Sequence, residues 1–136
     1  MKSKIVITAN AVFLLGLGVG LDFLPQEVAA ALGLGNTPAA ALLLQVLAAA
    51  FLGMGFLNWL SKGNPMGGIY SRPLALQNFL MFGVAGISLD RAALHGAAPR
   101  DVQVAAIVFT LFALASGWLM FFHDPIAETQ KKQQQP

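Results

Sequence analysis

Four long apolar stretches divide the chain, and none alternates polar with apolar residues as a half-buried strand would. They run from Ile5 to Leu24, from Ala39 to Leu60, from Pro73 to Leu94 and from Val102 to Phe122. A bilayer core of about 30 Å takes about 20 mostly apolar residues per helix, a length that each stretch approaches or meets. In lipid only helices and closed barrels satisfy every backbone N–H and C=O, and continuous runs without a period of two select helices. The third stretch is the most polar, with Gln77, Asn78 and, near its end, Asp90 and Arg91; the fourth is the cleanest. The pattern predicts an all-α integral membrane protein, a four-transmembrane-helix up-down bundle over residues 1–123. Met1-Lys2-Ser3-Lys4 before an apolar run also fits a signal peptide, with Gly18-Val19-Gly20 as a small-x-small site. The run is longer than the usual apolar region of such a peptide, so a retained first helix is expected.

The connections carry their own punctuation. After the first span, Pro25 suits a first helical turn, Glu27 suits the positive end of a helix, and Gly33 or Gly35 suits a stop. This predicts a short interfacial helix at the outer face, with Phe23, Leu24, Val28 and Leu32 toward lipid or the bundle. The stretch from Ser61 to Arg72 is dense in turn residues and joins the second and third spans. Residues 124–136, ending Gln-Lys-Lys-Gln-Gln-Gln-Pro, are polar and low in complexity, which predicts a cytoplasmic tail that orders only on a partner.

Composition strengthens the membrane reading. Of 136 residues 57% are hydrophobic and only 10% charged, and the mean hydropathy is +0.68. A soluble domain has about 45–50% apolar residues and about a quarter charged. The net charge of +2 and the lack of a basic run interleaved with aromatics set nucleic acid aside. Zero cysteines remove disulfides, thiolate metal sites and a cysteine nucleophile together. Lys2, Lys4, Lys62, Arg72, Lys131 and Lys132 share one side if the spans alternate, against Arg91 and Arg100 on the other. That bias places both termini in the cytoplasm. Trp59, Tyr70 and Trp118 then fall at or near the cytoplasmic ends of their spans, as interfacial aromatics do.

Helix association in lipid relies on close approach at small residues. Gly16 with Gly20, Ala49 with Gly53, and Ala113 with Gly117 have the spacing for it and read as packing positions within the bundle. Phe13-Leu14-Leu15-Gly16-Leu17-Gly18 is similar to Phe51-Leu52-Gly53-Met54-Gly55, too briefly to count as a repeat.

Polar groups inside the spans are the natural place for function. Asn10, Gln45, Asn58, Gln77 and Asn78 qualify, and none is ionisable; Asp22, Asp90, Asp101 and Asp124 all sit near span ends. This argues against a proton-coupled pump. His95 and His123 fall on opposite faces and share no metal or haem, and no serine has a usable base beside it. No enzyme, metal site or cofactor is predicted. Asp90-Arg91 and Arg100-Asp101 form an outer cluster of mixed charge, read as charges flanking helix ends.

On the inner side Asn58, Trp59, Lys62, Tyr70, Arg72 and Asn78 converge if the second and third spans form a hairpin. The two cations, the Gly67-Gly68 turn and the helix start at Ser71-Arg72-Pro73 would suit a lipid headgroup or small anion. The competing reading is a basic loop with hydrogen bonds from Asn58 to Asn78 that merely stabilise the hairpin.

The outer Phe23-Leu24-Pro25 and Leu32-Gly33-Leu34 segment, the second span ending Leu57-Asn58-Trp59-Leu60, and the Arg72-Pro73 start to the third together resemble small four-helix bacterial membrane proteins of the DoxX-like kind. The similarity covers roughly Val12 to Asn78. It implies a tetraspanning protein of the bacterial inner membrane and carries no catalytic residue across. The functions expected are non-enzymatic: an accessory subunit of a larger membrane complex, or a bundle that binds lipid or a hydrophobic metabolite, with homo-oligomers also open. A small facilitative transporter or channel is the alternative, and would need Asn10, Gln45, Asn58, Gln77 and Asn78 to line one path.

Overall fold

The computed structural model describes residues 2–62, 71–96, 98–122 and 133–134. Among them are five helices: α1 (Lys2–Phe23), α2 (Pro25–Ala31), α3 (Pro38–Ser61), α4 (Ser71–His95) and α5 (Arg100–Phe122). The four apolar stretches are α1, α3, α4 and α5. Lys4–Phe23 of α1, the whole of α3 and the whole of α5 are long and apolar enough to cross a membrane. α4 matches them in length at 25 residues but carries Gln77, Asn78, Asp90 and Arg91. Tyr70, His123 and all but two residues of the polar tail lie outside the described residues.

Local chemistry sets the helix ends. α2 begins at Pro25, whose missing N–H costs nothing in a first turn, and closes at Gly33 with φ +72°. There Gly33 N–H donates to Ala30 O and Leu34 N–H reaches back to Ala29 O, the left-handed cap that glycine permits. Thr37 caps α3, its hydroxyl accepting from Ala40 N at 3.2 Å, with Pro38 next in line.

The long helices associate as two antiparallel pairs. α1 lies along α3, with α2 folded against α3, and α4 lies along α5; α1 also touches α5. The close backbone pairing is therefore not the α3–α4 hairpin expected from the connecting stretch. In the first pair, a Cβ on Gly18 would stand 2.7 Å from Leu52 Cγ, and one on Gly55 would stand 2.7 Å from Leu15 Cγ. The second pair repeats the device: Gly86 faces Thr110 and Gly117 faces Phe79. Each pair is held by two glycines that admit a side chain of the opposite helix.

The two pairs bury a cluster of phenylalanines between them. Phe13 and Phe82 each stack on Phe112, at centroid distances of 4.6 and 5.1 Å, and each meets Phe109 edge-on. Phe51 adds a ring from α3 at 6.4 Å from Phe109, so all four long helices contribute. Such pairs contribute about 0.5–1.5 kcal/mol each beyond their burial. A smaller apolar cluster of Ile7, Leu74 and Leu119 closes the end of the bundle where α3 finishes and α4 starts.

Candidate functional site

Between the phenylalanine cluster and that smaller cluster lies a layer of polar side chains, one from each long helix. Asn10 (α1), Asn58 (α3), Asn78 (α4) and Ser116 (α5) are 0, 0, 2 and 1 % exposed. Three of them sit one helical turn from a phenylalanine or leucine of the core, Asn10 beside Phe13 and Leu14, Asn78 beside Phe82 and Ser116 beside Phe112, and Asn58 sits one turn from Met54.

Asn58 and Asn78 bond reciprocally. Asn58 Nδ2 donates to Asn78 Oδ1 at 3.0 Å, and Asn78 Nδ2 donates to Asn58 Oδ1 at 2.6 Å. The second proton on Asn58 Nδ2 goes to the Met54 carbonyl at 2.8 Å. Across the layer, Asn10 Nδ2 donates to Ser116 Oγ at 3.4 Å, and Asn10 Oδ1 is buried without a partner. The first bond ties α3 to α4 and the second ties α1 to α5, so both join one helix pair to the other.

The residues expected at an inner ligand site divide accordingly. Asn58 and Asn78 are sealed inside and engaged with each other. Trp59 is 41 % exposed, and Lys62 Nζ stands 2.8 Å above its ring, a cation held on an aromatic face at the bundle surface. Arg72 is exposed at the start of α4. Tyr70 falls outside the described residues. Gly67-Gly68 of the expected turn also lie outside the described residues, and among the described ones Trp59, Lys62 and Arg72 remain open to a ligand at this end.

The expected packing positions also divide. Ala113 packs on the core and Gly117 takes the Phe79 ring, whereas Ala49 is exposed and a Cβ on Gly16, Gly20 or Gly53 would meet nothing within 4 Å. The reason is angular. Each residue turns a helix by 100°, so Gly16 and Gly20 lie on the face opposite Gly18.

The amides of the long helices do not share a path. Gln45 faces outward on α3, and Gln77 Nε2 donates to Met81 Sδ at 3.6 Å while its Oε1 is buried without a partner. At the other end of the molecule an open cleft of about 680 Å³ lies between α2 and the start of α3, with Gln26, Asn36, Thr37 and Gln45 among its walls. Among the described residues no three His, Asp or Glu side chains gather as a metal ion would require.

The outer charges are arranged differently from the expected cluster. Arg91, Arg100 and Asp101 are exposed, but Asp90 is half-buried and turned toward α5, where Thr110 Oγ1 donates to its Oδ2 at 3.0 Å. Sequence position hid this, because Asp90 is near the end of its own helix while Thr110 is at the middle of the next.

No protein-family model matches the chain, and no curated protein or solved structure matches it.

Proposed function

We propose that the chain is a four-span protein of the bacterial inner membrane, both termini cytoplasmic, that works without catalysis as an accessory subunit of a larger membrane assembly. One observation carries the reading: the buried polar layer of Asn10, Asn58, Asn78 and Ser116 bonds across the inside of the bundle, while large apolar side chains cover much of its outer surface. Leu42, Leu43, Val46, Phe56, Leu60, Val84, Ile87, Ile107, Leu111 and Leu114 are all more than half exposed. A bundle whose described interior is filled and whose described helix surfaces are apolar acts through what lies beside it in the bilayer. Six of the eight basic residues on one side support the orientation, and the resemblance to DoxX-like proteins supports the four-span count and the compartment.

The lipid-binding reading draws on a separate observation, the exposed Trp59 with Lys62 over its ring and Arg72 at the same end. Those groups suit an anionic headgroup at the cytoplasmic interface. Transport is the weaker alternative, since Leu14, Phe82 and Asn10 fill the axis of the bundle at 0 % exposure and Gln45 points away from it.

Native mass spectrometry of the protein released with its own lipid from host membrane, at natural abundance, tests the proposal. Release together with defined larger subunits is expected. A bare chain of 14.3 kDa or its small multiples would overturn the accessory role, and a discrete retained lipid on that bare chain would favour the second reading.

A further inference from the structure

The carboxylate of Asp90 meets the middle of the neighbouring helix rather than its end. It accepts a hydrogen bond from Thr110, the eleventh of the 23 residues of α5, itself a candidate span. At a rise of 1.5 Å per residue that places the bond about 15 Å along α5, close to the middle of a bilayer core of about 30 Å. Asp90 reaches this depth because side chains on a helix lean toward its N-terminus. Gly86, one turn earlier, lets α5 come close: a Cβ there would be 3.4 Å from Thr110 Oγ1.

This pair lies on the outer seam of α4 and α5, away from the core. Ile87 and Leu94 flank Asp90 on α4, and Ile107 and Leu114 flank Thr110 on α5, each three or four residues away on the same face; all four are more than 60 % exposed. An acid therefore stands in the middle of an apolar, outward-facing strip. A carboxylate has about four lone-pair sites, and one hydroxyl serves one of them. Among the described residues no lysine, arginine or histidine pairs with Asp90, and Arg91 beside it is exposed on another face. Intramembrane acids are costly and settle by pairing with a cation or a donor.

We infer that the α4–α5 seam is the docking surface for a partner transmembrane helix carrying a lysine or arginine at mid-membrane depth, with Asp90 as its counter-charge and Thr110 holding the carboxylate toward it. The inference rests on the accessory-subunit reading and names the contact through which that role is exercised. Charge complementarity selects the occupant: a purely apolar helix would leave the carboxylate as poorly satisfied as lipid does.

The experiment places a photo-crosslinking residue at Ile107 and, separately, at Val12 on the far side of the bundle, in the full chain in its host membrane. Crosslinking from position 107 to a transmembrane segment with a lysine or arginine within one turn of the link is expected, with none from position 12. Asp90→Asn, which keeps the shape and the Thr110 contact, should lower that crosslink and the co-purified partner by about tenfold or more, the scale of losing one half of a desolvated charge pair. Asp90→Glu should retain the partner, and Asp101→Asn should leave it unchanged. A complex that forms equally well with Asp90→Asn, or a crosslinked segment without a cation, overturns the inference and leaves the accessory role standing. A second copy of this chain at position 107 overturns it too, and no partner at all from wild type overturns both.

Discussion

Leu15 occupies the place of the side chain that Gly55 lacks: a Cβ built on Gly55 would stand 2.7 Å from Leu15 Cγ and 3.0 Å from its backbone nitrogen. Leu52 stands in the same relation to Gly18, and the two contacts fix how far α1 and α3 slide along each other. Ala48 O lies 3.1 Å from the position of a Cβ on Gly18, so backbone as well as side chain would have to move. Gly18→Ala and Gly55→Ala should each destabilise the bundle by about 1–3 kcal/mol, the range of an overpacked core. Gly16→Ala and Gly53→Ala, which meet nothing, should be neutral or slightly stabilising through better helix propensity. Thermal unfolding of the four variants in one detergent separates the two classes.

The Asn58–Asn78 pair makes a prediction about non-additivity. Removing one amide strands polar atoms of the other inside the bundle, Asn58 Oδ1 in one case and both Asn78 Oδ1 and Nδ2 in the other, at a cost of about 1–3 kcal/mol. Asn58→Leu and Asn78→Leu should each destabilise on that scale. The double variant should lose much less than the sum, because it strands no polar group on its partner. A double-mutant cycle that came out additive would mean the two side chains do not bond.

At the bundle surface the expectation is reversed. Lys62→Gln and Arg72→Gln remove exposed or partly exposed cations and should change stability by less than about 0.5 kcal/mol. If anionic headgroups gather at Trp59 and Lys62, the same variants should co-purify with less anionic lipid than wild type, measured by mass spectrometry of the extracted protein. Unchanged lipid content would remove the lipid-binding reading.

Orientation is testable on this cysteine-free chain without background. Lys131→Cys should react with an impermeant maleimide only after the membrane is opened, and Gly96→Cys should react in intact cells. The opposite pattern would invert the topology.

Much of the helical pattern was legible from hydrophobic runs and turn residues, because those depend on neighbours in the chain. Asn10, Asn58 and Asn78 were equally visible, since an amide in an apolar run stands out wherever it ends up. Their assembly into one layer was not legible. It depends on the rotation of each helix and on the register of the pairs, which rests on Leu15 and Leu52 meeting glycines far away in sequence. The same angular sensitivity explains why spacing pointed to Gly16 and Gly20 when Gly18 makes the contact. Ser116 escaped notice because a single hydroxyl in a Gly/Ala-rich helix carries no signal of its own. Asp90 does lie toward the end of its own helix, and counting along α4 could not show that its carboxylate meets Thr110 near the middle of α5.

The polar layer draws a single residue from each of four helices, and its side-chain bonds, Asn58 with Asn78 and Asn10 with Ser116, each join one pair to the other. Half a molecule would thus carry two polar side chains without their partners, Asn10 and Asn58 from the first pair or Asn78 and Ser116 from the second. Each half is therefore chemically incomplete by itself, and the two pairs satisfy each other only when they meet.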